Sequence, residues 1–75
     1  MMYIVMFADI TSAQAWIVYS KCKHLGIGYY SEYTANYNQN AACGPMTAGD
    51  KDTLVKLIND PAKTTVLKEV YNHDY

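Results

Sequence analysis

The chain has 75 residues, 51% of them apolar, with six lysines against seven acids, no arginine and a formal charge of −1. That length bounds the molecule to one domain with a small core, and the apolar share excludes a disordered chain. The charge balance excludes a nucleic-acid binder, which draws its affinity from lysine and arginine set against phosphate.

The opening MMYIVMFADI has no basic stretch ahead of its apolar run and carries Asp9. It is about half the ~20 residues needed to cross a bilayer. It reads as a strand, central in a sheet with a helix layer on one face, in a cytosolic protein that does not engage a membrane. Thr11, with Gln14 three residues on, forms a capping box and predicts a helix over Ser12–Leu25. Ala15, Val18, Cys22 and Leu25 share one face of that helix, with Tyr19 beside them. Lys23 and His24 suit its negative end, and Gly26 supplies a left-handed cap.

GYYSEYTANY predicts a second strand with mixed faces, as at a sheet edge: Tyr29, Ser31 and Tyr33 on one side, Tyr30, Glu32 and Thr34 on the other. NYNQN is a turn, and Asn40 closes it. A third strand is expected at or after Pro45, because proline cannot donate to a ladder. DKDTLVKLINDP predicts a second helix, capped by Asp50, stopped by Pro61 and apolar at Leu54, Val55, Leu57 and Ile58. TTVLKEVY reads as a last strand and NHDY as a tail. The order β-α-β-β-α-β is that of an α+β ferredoxin-like fold, a four-stranded sheet in order 4-1-3-2 with both helices on one face.

Cys43 sits in NAACG, at the end of the loop between the second and third strands. That topology brings the loop beside the start of the first helix, where free N–H groups and the helix dipole stabilise a thiolate. Thr11, Ser12 and Asn40 would floor the pocket, although the Asp9 carboxylate would oppose a low thiol pKa. The competing reading is a small apolar residue packed under a loop.

In YIVMFADITSAQA, KHLGI, NAACG and GDKDTLVKLI, over nearly its whole length, the chain resembles a family of short bacterial domains described as selenium or sulfur carrier-like proteins. The resemblance implies an accessory thiol protein rather than an enzyme on its own, carrying the chalcogen on Cys43, with Gly44 letting backbone amides approach the anion. Ala41 and Ala42 stand where the family has serines, and Pro45 where it has an ordinary strand residue.

Cys22 reads as a core residue, too far along the helix from Cys43 for a disulfide, which needs α-carbons within about 7 Å. Neither cysteine belongs to a C-x-x-C pair, and His24 and His73 do not complete a ligand set, so no metal and no cofactor is expected. The alternative function is a protein-binding module without chemistry. It would use Tyr29, Tyr30, Tyr33 and Tyr37 along an edge strand, with Trp16 on the adjoining helix. Its partner would be a second copy in a homodimer, or a host protein docked by a phage-type inhibitor.

Overall fold

In a computed structural model that describes residues 1–69, the apolar run at the head of the chain forms β1, Met2–Ile10. It is followed by α1 (Ser12–Leu25), β2 (Tyr29–Tyr33), β3 (Gln39–Met46), α2 (Ala48–Ile58), a 3-10 turn over Pro61–Lys63 and β4 (Thr64–Glu69). The end of the expected last strand (70–71) and the NHDY tail with His73 lie outside the described residues. The four strands make one antiparallel sheet in order β2-β3-β1-β4. This is the ferredoxin-like α+β arrangement.

Both helices pack on one sheet face. Val5, Phe7 and Ile10 of β1 and Ala41, Cys43 and Met46 of β3 meet Ala15, Val18 and Cys22 of α1 and Leu54 and Ile58 of α2. Fully burying the larger of these, such as Phe7, Ile10, Met46 and Leu54, contributes roughly 1.5–3 kcal/mol each. Strict alternation along β1 would turn Ile10 to the opposite face from Val5 and Phe7. A bulge between Phe7 and Ile10, with Asp9 at φ 54°, returns Ile10 to the core.

A second irregularity, in β3, does the same for Met46. Two residues of β3, Gly44 and Pro45, oppose the single residue Ile4. Pro45 is therefore tolerated inside the strand, because its missing donor falls where the ladder is already interrupted. β3 thus begins six residues before the expected Pro45 start, at Gln39.

The first helix has the expected bounds and caps. The Thr11 hydroxyl accepts the Gln14 N–H at 3.1 Å, the Gln14 carbonyl Oε1 accepts the Thr11 N–H at 2.9 Å, and Gly26 is left-handed. The second helix corrects two expectations. Its cap is Thr47, whose hydroxyl accepts the Asp50 N–H at 3.3 Å, so Asp50 lies inside the first turn. It ends at a left-handed Asn59, and Pro61 opens the following 3-10 turn. Leu57, placed on the apolar face by spacing, is exposed beside Trp16 and Ile17.

Candidate functional site

The strand pairing decides where Cys43 lies. The β2–β3 turn closes over 34–38, so β3 starts at Gln39 and Cys43 falls mid-strand, opposite Val5 of β1 and Tyr29 of β2. Its side chain points toward the helices and is 1% exposed. The expected loop thiol at the head of α1 is therefore corrected: Cys43 belongs to the core and faces Cys22, near the other end of that helix.

Both thiols are free and buried, and they are placed so that a hydrogen bond between them biases the ionisation of each. That bond, then burial, then the charge Cys22 would carry, push the Cys43 thiol far above the ordinary thiol range. The same bond holds the Cys22 thiol below its usual value, with burial opposing it. The separation expected between the two cysteines is thus overturned. Helix α1 crosses the sheet so that its last turn lies over the middle of β3.

The other residues of the expected pocket stay apart from the sulfur. Thr11 is engaged in its own capping box, and Ser12 is exposed at the mouth of a groove between α1 and β2. Asn40 is a strand residue whose Oδ1 accepts the Asp9 N–H at 2.9 Å. Asp9 is the hub there: its carboxylate accepts from Asn38 Nδ2 at 3.1 Å and Thr34 Oγ1 at 3.4 Å, and its carbonyl from Lys63 Nζ at 2.9 Å. Gly44 has φ 134°, and its backbone lies tight against Tyr3 and Ile4. Its freedom serves strand packing.

The tyrosines divide among three places. Tyr29 is half-buried on the helix side, where its hydroxyl donates to the Ala15 carbonyl at 3.4 Å. Its ring meets Tyr19 edge-on at 5.3 Å, and Tyr19 lies 5.6 Å from Trp16, so an aromatic ridge runs from β2 onto α1. Tyr33, 75% exposed, stands on the same sheet face as Tyr29, while Tyr30, 65% exposed, stands on the opposite one. Tyr37 is in the hairpin turn at φ 64°, off the strand where it was expected. The α1–β2 groove has a volume of about 470 Å³, and Trp16, Tyr19, Tyr29, Tyr33 and Gln39 line it with no ionised side chain among them.

Backbone hydrogen bonds show which residues of β2 face outward. Gly28 accepts from the Gly44 N–H at 3.0 Å, and the Thr34 N–H donates to the Asn38 carbonyl at 2.7 Å. Gly28 and Thr34 therefore face β3, and by alternation so do Tyr30 and Glu32. Tyr29, Ser31 and Tyr33 present their N–H and C=O groups away from the sheet, since β2 is its outer strand.

Sequence reasoning missed a second apolar surface. Ile4, Met6, Ala42 and Leu67 share the sheet face without helices, where a shallow groove of about 310 Å³ lies between Met6 and Tyr30. Its signal was present: a strand covered on one side only should alternate, yet β1 is apolar at both sets of positions. Among the described residues no helix is long and apolar enough to cross a membrane. No family model, no curated protein and no solved structure matches the chain.

Proposed function

We propose that the chain is a protein-binding module whose working surface is the free edge of β2, with no chemistry of its own. The observation that carries this reading is the outward row of backbone donors and acceptors on Tyr29, Ser31 and Tyr33, flanked by the exposed rings of Tyr30, Tyr33 and Trp16. An unpaired edge gives a partner main-chain hydrogen bonds, and tyrosine and tryptophan add contact area at low entropic cost. Two thiols left free in the fold suit a reducing compartment, which we take to be the cytosol. The test is capture from host extract on the immobilised chain and on a Tyr30→Ser/Tyr33→Ser variant. The reading predicts partner chains, free copies of this chain among them, held by the first and lost from the second. The same proteins on both would contradict it.

A sulfur or selenium carrier on Cys43 is the second reading. It is favoured by one observation, the Cys22 thiol facing Cys43, which would give a bound chalcogen a neighbouring sulfur. Burial of both thiols weighs against it, because a carrier must meet its donor and acceptor. Native alkylation at neutral pH separates the two readings: labelling of Cys43 at the rate of a free thiol supports the carrier, and labelling only after unfolding removes it.

A further inference from the structure

We propose that the occupant of the β2 edge is a second copy of this chain, paired antiparallel, β2 to β2, about a two-fold axis through Ser31. The inference rests on the edge reading above and specifies it. An antiparallel edge-to-edge ladder forms only where outward-facing residues meet outward-facing residues. On this strand those are Tyr29, Ser31 and Tyr33. Centring the axis on Ser31 sets Tyr29 against Tyr33 of the second copy, Ser31 against Ser31, and Tyr33 against Tyr29. All of the outward groups are then used, in about six backbone hydrogen bonds.

Charge selects the same register. Glu32 is the only ionised residue of β2. With the axis at Ser31 it lies opposite Tyr30 of the second copy, on the sheet face without helices. Moving the axis to Glu32 would set two carboxylates directly opposite each other, which is destabilising. Moving it to Tyr30 would set Tyr33 opposite Ile27, which lies outside β2, and so leave Tyr33 without a strand partner.

The Ser31 register also fills the groove. On the helix side, Tyr33 of the second copy arrives opposite Tyr29, whose ring continues through Tyr19 to Trp16. Among the described residues the lining of that groove carries no ionised side chain, and so it suits a neutral aromatic ring. The two sheets would join into one, closing the β2 edge of each.

Sedimentation equilibrium of the full chain, from low micromolar to about millimolar concentration, reads the association directly. The weight-average mass is expected to climb from 8.5 kDa toward twice that value. Tyr30→Glu faces Glu32 of the second copy and should weaken the dimer about five- to tenfold. Tyr30→Lys should tighten it, and Tyr30→Glu/Glu32→Lys should restore it. Tyr30 is exposed, so circular dichroism should show all three variants folded. Equal effects of Tyr30→Glu and Tyr30→Lys would overturn the register. A wild-type chain that stays at 8.5 kDa throughout would overturn self-pairing. In that case loss of captured proteins from Tyr30→Ser/Tyr33→Ser would still uphold the edge reading, and an unchanged set would remove both.

Discussion

The Gly44 N–H donates to the Gly28 carbonyl at 3.0 Å, at a point where β3 also lies tight against β1. A β-carbon on Gly44 would stand 2.8 Å from the Tyr3 carbonyl oxygen and 3.2 Å from the Ile4 α-carbon. Both obstacles are backbone, and a φ of 134° is open to few residues other than glycine. Gly44→Ala is therefore expected to lower stability by about 2–4 kcal/mol. Urea denaturation checks it, and a change below about 0.5 kcal/mol would mean that β3 can withdraw from β1 at no cost.

The two helix starts differ in how fully they are closed. Thr11 gives its N–H at 2.9 Å and its hydroxyl receives at 3.1 Å, whereas Thr47 only receives, at 3.3 Å. Thr11→Ala should cost about 1 kcal/mol and Thr47→Ala less, within the range known for helix caps. Paired urea midpoints for the two variants decide it, and the reverse order would contradict the capping geometry.

The thiol pair makes a prediction in alkaline solution. Unfolded, both cysteines ionise near 8.5. Folded, the hydrogen bond to Cys22 and burial keep the proton on Cys43 well beyond that point. Above about pH 8.5 the native chain thus binds more protons than the unfolded one, and stability falls as pH rises, by at most about 1.4 kcal/mol per unit for this thiol. Urea midpoints between pH 8.5 and 9.5 should decline for the native sequence and stay nearly level for Cys22→Ala/Cys43→Ala. A decline of equal steepness in both would show that the thiols are not its source.

Local chemistry made much of this fold legible. Thr11, Gln14 and Gly26 carry their instructions within a few residues, so α1 could be bounded from sequence. Its apolar spacing at Ala15, Val18 and Cys22 named the buried face. What sequence alone could not place was anything decided by register. The bulges at Asp9 and at Gly44–Pro45 each turn one residue, Ile10 or Met46, from the bare face to the core. Pairing across the sheet makes such shifts, and no short window of sequence records them.

The candidate site was hidden for the same reason. Whether Cys43 was a loop thiol or a core residue depended on where β3 began, and Pro45 argued for a start that the bulge made unnecessary. Whether Cys22 was its neighbour depended on how α1 crosses the sheet. The tyrosines were visible as a group, yet their division among two faces and a turn required the strand and its ladder.

Amide hydrogen exchange, read residue by residue in dilute and in concentrated solution, puts the β2 edge to the most direct test. The backbone pattern predicts slow exchange at Tyr30, Glu32 and Thr34 in both conditions. Tyr29, Ser31 and Tyr33 should exchange fast when dilute and slow down as copies pair. Exchange that stays fast at those three amides at the highest concentration, and with every captured protein bound, would show that nothing docks there.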